Sequence, residues 1–174
     1  MIIATRSLTG AALVALATTA AAAQQPVHLA STRGGISANV GADSARVAAA
    51  LSSASALAES GRVREAMRSL RSLADSQRES GDYAGEPLRR LADLQYASGR
   101  EFEAAGTFDE LADEASKFGD PAVRIRALLD AALVYQDLKM FDRVPEHARQ
   151  IKVLLRSPAI GDKLRAEVSS RISG

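Results

Sequence analysis

The stretches "SGRVREAMRSL" (residues 60–70) and "SGREFEAAGTF" (residues 98–108) both carry Ser-Gly-Arg, then Ala and a large apolar residue at the same distances. Sliding the chain on itself by 38 residues matches Ala54 with Ala92, Gly61 with Gly99, Ala66 with Ala104 and Leu70 with Phe108. The same slide brings "GD" at 81–82 onto "GD" at 119–120. A slide of 39 matches Ala92 with Ala131, Leu94 with Leu133, Tyr96 with Tyr135, Arg100 with Lys139 and Phe102 with Phe141. Self-similarity in this range constrains the fold more than composition does. Each unit is one supersecondary element that cannot bury its apolar face alone, so neighbours must stack.

Each unit reads as a helical hairpin. Apolar residues recur at spacings of three and four from Asp43 nearly to the C-terminus, and no useful stretch alternates as a strand does. Asp43 caps a first helix that runs to about Glu59 and is ended by Gly61. Val63, Ala66, Met67, Leu70, Leu73 and Ala74 stripe a second, up to about Glu79. Pro87 falls in the first turn of a third, which carries Leu88, Leu91, Ala92 and Tyr96 and ends at Gly99. Phe102, Ala105, Phe108, Ala112 and Ala115 line a fourth, stopped by Gly119. Asp120 and Pro121 open a fifth, in which Ala127, Leu128, Ala131, Val134, Tyr135 and Leu138 continue the pattern. Asp142 opens a sixth, with Pro145 in its first turn and Val144, Ala148, Ile151 and Leu155 facing inward. Ile160, Leu164, Val168 and Ile172 mark a short last helix that shields the open end of the array. The expected fold class is all-α.

The run from Gly61 through Ala66 to Leu70 resembles the turn and second helix of a tetratricopeptide repeat. Ala54, Gly61, Ala66 and Leu70 stand at that family's spacings, as do Ala92, Gly99, Ala104 and Phe108. The third unit keeps Ala131 but has Leu138 where Gly falls. The resemblance covers roughly residues 45–156. The units are 38 and 39 residues apart, against about 34 in the family, and the first lacks the early Trp and closing Pro. Longer hairpin arrays of the HEAT type are the alternative. The resemblance implies a right-handed superhelical stack of three hairpins plus a C-terminal capping helix over residues 43–174. It implies a concave face, lined by the first helix of each hairpin, that holds a protein or peptide partner. Carried over position by position, that groove comprises Leu51 and Ser55, then Arg89, Asp93 and Tyr96, then Leu128, Ala132 and Tyr135. The carboxylate clamp of some family members is unmatched, since Asp93 stands at its Asn place.

Residues 1–23 read as a secretory signal peptide. Arg6 precedes an apolar run from Leu8 to Ala17, and Ala21 and Ala23 satisfy the small-x-small rule, placing the cut after Ala23. The run falls short of the about 20 apolar residues that span a bilayer, so cleavage leaves no transmembrane anchor; retention as an N-terminal anchor is the alternative. Residues 24–42, with Gly, Ser, Pro and no periodicity, read as a flexible leader. The implied location is the periplasm or exterior of a bacterium.

Of 22 basic and 21 acidic residues, Arg6 leaves with the signal, so the mature chain is formally neutral. That argues against nucleic acid as partner. Cysteine is absent, which excludes disulfides and thiolate metal sites. His28 lies in the leader, and His147, near Asp142 and Glu146, reads as an exposed helix position. No nucleophile–base pair, metal-ligand set or phosphate loop is present. The expectation is a non-enzymatic adaptor with no catalytic, cofactor-binding or metal residues. Charge is uneven, however: residues 82–120 hold ten acidic and four basic groups between two basic flanks. Arg64, Arg68 and Arg71 form a row on the first hairpin, and Glu110, Asp113, Glu114 and Lys117 decorate the second; the rows read as solvated helix faces with internal i, i+4 pairs, or as surfaces that steer a polar partner. Complementary flanks support a second expectation, a self-assembling structural protein of the envelope, with homo-oligomers.

Overall fold

A computed structural model describes residues 33–173. The expected signal peptide, the expected cut after Ala23 and expected leader residues 24–32 lie outside the described residues. The elements are α1 (Arg33–Glu59), α2 (Val63–Glu79), α3 (Gly85–Ala97), α4 (Glu101–Lys117), α5 (Pro121–Asp137), α6 (Val144–Leu154) and α7 (Asp162–Ser173). Among the described residues there is no strand, so the chain is all-helical. None of these helices is long and apolar enough to cross a membrane.

Two helix starts differ from expectation. α1 begins at Arg33, inside the stretch read as a leader, rather than at Asp43. Extending an existing Ala-rich helix adds one hydrogen bond per residue fixed, which carries it through Gly34, Gly35 and Gly41 despite their poor propensity. α6 begins at Val144, after a turn that includes Asp142. Pro145 sets the boundary, since its fixed φ and missing N–H suit the first turn.

The turns that follow α1 to α5 share one geometry. Gly61, Gly81, Gly99 and Gly119 adopt φ of 80°, 77°, 72° and 69°, and Lys139 adopts 60°. In each, the amide of the left-handed residue bonds the carbonyl three back, and the next amide bonds the carbonyl five back. Gly61 N donates to Ala58 O (3.0 Å) and Arg62 N to Leu57 O (2.9 Å); Lys139 N donates to Gln136 O and Met140 N to Tyr135 O, both at 2.9 Å. This is the Schellman closure, which satisfies carbonyls the helix leaves open. The third unit therefore turns at Lys139, not Leu138, and α5 is one residue longer before its turn than the repeat predicts.

Packing proceeds from neighbour to neighbour. From α1 to α6 each helix packs against its neighbours in the chain, while α7 folds back onto α5. Leu51, Ala54, Met67, Leu70 and Leu91 form one buried cluster, and Ala92, Ala104, Ala105, Phe108, Ala131 and Val134 another. A third, including Leu88, Leu111, Ile125, Leu128, Ile151 and Val168, runs on to α7. Among the described residues no side-chain hydrogen bond joins positions more than 41 apart in the chain. Small side chains set the close approach: Ala54, Ala92 and Ala132 each precede a left-handed residue by seven positions, and all are buried. The apolar stripes stop short of the helix ends. Phe102 in the first turn of α4 and Ile172 in the last turn of α7 are exposed, contrary to expectation.

Candidate functional site

Two channels run along the row of α1, α3 and α5. The first lies between α1 and α3 above Leu70 of α2 and encloses about 470 Å³. Ala54, Ala58, Leu94 and Ala97 make it apolar, with Ser55, Arg90 and Asp93 at its edge. The second lies between α3 and α5, encloses about 370 Å³ and is lined by Arg89, Asp93, Tyr96, Phe108, Leu133 and Arg171 among others. Asp93 borders both, so the channels adjoin across α3.

The walls are held by side chains from successive hairpins. Arg90 Nη1 donates to Ser55 Oγ (3.0 Å), tying α3 to α1. Asp130 of α5, buried, accepts from Arg89 Nη1 of α3 and Arg171 Nη2 of α7, each at 2.5 Å. Two flanking guanidiniums are what a buried carboxylate requires. The Arg89 guanidinium also lies 5.3 Å from the centre of the Phe108 ring, within cation–π range. Arg126 and Glu167 add a bidentate pair between α5 and α7 at 3.0 and 2.9 Å. Partial desolvation pushes the Asp93 carboxyl up, Arg89 draws it down, and the Asp130 and Glu86 carboxylates push it up again, for a net rise.

The residues expected to line a groove divide in two. Ser55, Arg89, Asp93 and Tyr96 border the channels. Leu51, Leu128, Ala132 and Tyr135 are buried in the core. The two tyrosines, matched in the sequence, differ sharply: Tyr96 is 46% exposed and Tyr135 is 6% exposed. The longer α5 is the cause. Tyr96 precedes its turn residue Gly99 by three positions, whereas Tyr135 precedes Lys139 by four. One residue is about 100° of helix rotation, so Tyr135 turns inward and Gln136 takes its place at the channel. The residue equivalent to Tyr135 in α3 is Gln95, buried likewise.

Tyr135 instead joins a cluster that sequence reasoning missed. Its hydroxyl donates to Asp109 Oδ2 of α4 (2.8 Å), while His147 Nε2 of α6 lies 2.6 Å from Asp109 Oδ1. His147 Nδ1 lies 2.8 Å from Arg143 O. Both ring nitrogens face acceptors, an arrangement suited to the doubly protonated imidazolium. The Asp109 hydrogen bond holds the His147 pKa above the usual imidazole range, against the opposing effect of burial. Burial, then the bond to Asp109, pushes the Tyr135 phenol up to about 12. His147 is therefore buried and Ala148 exposed, the reverse of expectation. The engaged ring offers no free base, and the cluster braces α4, α5 and α6. The available signal was spacing: Asp109 and His147 lie 38 residues apart, the offset of the first self-match in the sequence.

Compared with protein-family models, curated proteins and solved structures, the chain matches none.

Proposed function

We propose that this chain is an exported, non-enzymatic adaptor of tetratricopeptide-like hairpins. Its α1, α3 and α5 row forms the inner face of a right-handed stack, capped by α7, and holds a segment of a partner protein. One observation carries the reading: among the described residues side-chain bonds across helices reach one hairpin and no further, and adjoining channels lie along α1, α3 and α5. The channels supply an apolar strip for aliphatic side chains and Tyr96, Asp93 and Arg90 for polar selection, the pairing of broad contact area with sparse polar groups that partner recognition uses. The cationic start, apolar run and small-x-small site of residues 1–23 support export to the periplasm or beyond.

A photo-crosslinking side chain at Tyr96, compared with one at Lys152 on α6, tests this in cells that make the protein. Partner capture at position 96 and none at 152 is expected. Equal capture at both, or none at 96, removes the channel as the contact.

A second reading, self-association, is favoured by an open groove of about 810 Å³ between α1 and α2, bordered by Val47, Ala50, Ser72 and Leu73, at the α1 end of the described residues. A concentration-dependent oligomer in light scattering supports it; a monomer throughout rejects it.

A further inference from the structure

The groove between α2 and α4 opens on another side of α3 from the channels, since Leu91 and Gln95 face it whereas Asp93 and Ala97 face the channels. It encloses about 520 Å³. We propose that this groove is a second binding site, independent of the adaptor channels, for an acidic peptide segment that carries an apolar side chain between carboxylates.

Four guanidiniums surround the groove: Arg64, Arg68 and Arg71 from one face of α2, and Arg100 from the turn before α4. Arg71 Nη1 donates to both oxygens of Glu110 (2.8 and 2.7 Å). Arg100 is held over the floor by Met67 Sδ (3.3 Å) and Glu103 (2.7 Å). Arg64 and Arg68 have no ion-pair partner among the described residues, and the nearby Glu65 is taken by Arg62. Four cations thus face two carboxylates, and the groove keeps a positive excess.

The floor shows what the cations are arranged around. Met67 and Leu91 are buried and apolar. Beside them Gln95 is only 8% exposed. Its Oε1 accepts from Thr107 Oγ1 (2.8 Å), and no bond among the described residues uses its amide nitrogen. The Gln95 amide nitrogen is not enclosed, so on the lining of the groove it is free to donate to water or to an occupant. The uncompensated charge of the groove is cationic, so the occupant supplies acceptors. Guanidinium forks match carboxylates bidentately, and an apolar floor between them fits a peptide side chain. Nucleic acid needs an extended basic surface, which the neighbouring Glu110, Asp113 and Glu114 deny.

The test is fluorescence anisotropy of the full chain with a rhodamine-labelled Glu-Asp-Leu-Asp-Glu peptide. The comparator is the same label on Gln-Asn-Leu-Asn-Gln, and inorganic phosphate serves as competitor. The expected result is saturable binding of the acidic peptide only. Arg64→Ser with Arg68→Ser, both exposed, weakens it at least tenfold with helical circular dichroism unchanged, while Arg149→Ser with Arg156→Ser leaves it intact. Absence of saturable binding, equal binding of the neutral peptide, indifference to Arg64 and Arg68, or full displacement by millimolar phosphate each overturns the proposal.

Discussion

Gly99 and Lys139 close equivalent turns with the same left-handed backbone, at φ 72° and 60°. A β-carbon at Gly99 would meet no atom within 4 Å, so the site resists substitution through backbone strain alone. An L-residue in this region costs about 1–2 kcal/mol. Lys139→Gly is expected to stabilise the chain by about 1 kcal/mol, and Gly99→Ala to destabilise it by a similar amount. Thermal unfolding of both variants measures this. A Lys139→Gly protein no more stable than the parent rejects the strain account.

The Asp109–His147 contact sets a pH dependence. The folded pKa of His147 is raised, so its stabilisation is complete below the unfolded value of about 6.5 and is lost as pH rises through the folded value. Glu146 adds to the rise and the Arg143 carbonyl accepts from the ring. Urea midpoints of the parent should therefore fall above about pH 6.5 relative to those of His147→Gln. Tyr135 acts in the same direction at higher pH: its bond to Asp109 is lost as the phenol ionises near its raised value of about 12. Parallel curves for parent and His147→Gln contradict the assignment.

The two tyrosines should separate by readout. Tyr96→Ala is expected to change stability by less than about 0.5 kcal/mol, as exposed substitutions do, while weakening partner retention. Tyr135→Phe leaves Asp109 one donor short and should cost about 1 kcal/mol. Chemical denaturation beside a retention assay distinguishes them.

Glu114 has a side chain only 2% exposed. It accepts from Arg78 Nε (3.3 Å) and Ala84 N (3.4 Å), with Lys117 Nζ at 3.6 Å. Arg78 also pairs with Glu110, where bonds from Arg71 and Arg78 outweigh burial and hold the carboxyl low. Arg78→Ala is expected to cost about 3 kcal/mol, because it strips a buried carboxylate of its main cation. Arg78→Met with Glu114→Gln should recover more than half of that in urea unfolding.

Turn chemistry made much of this fold legible. Gly61, Gly81, Gly99 and Gly119 announce the left-handed closures, and Asp120, which accepts from Val123 N at 3.0 Å, announces α5 with Pro121. The failures have physical causes too. Lys139 adopts a glycine-like backbone without being glycine, so the third unit slipped one register and Tyr135 was matched to Tyr96 rather than to Gln95. Alanine suits either face of a helix, so Ala148 was read as buried and His147 as exposed. The charge rows were read as solvated faces or partner surfaces. Arg71 with Glu110 and Arg89 with Asp130 instead pair across successive hairpins. Sequence separations near one repeat, 39 and 41 residues, carried that signal.

Stacking of hairpins through nearest neighbours is the premise beneath all of this. Val168, fully buried at the middle of α7, permits a direct test by amide hydrogen exchange of the full chain carrying Val168→Pro. Proline there breaks α7. In an array stability is local, so exchange should accelerate in α7 and α5 while the amides of α1 and α2 keep the protection of the parent. Equal acceleration in all seven helices would mean one shared core, and would contradict the stack and the channels built on it.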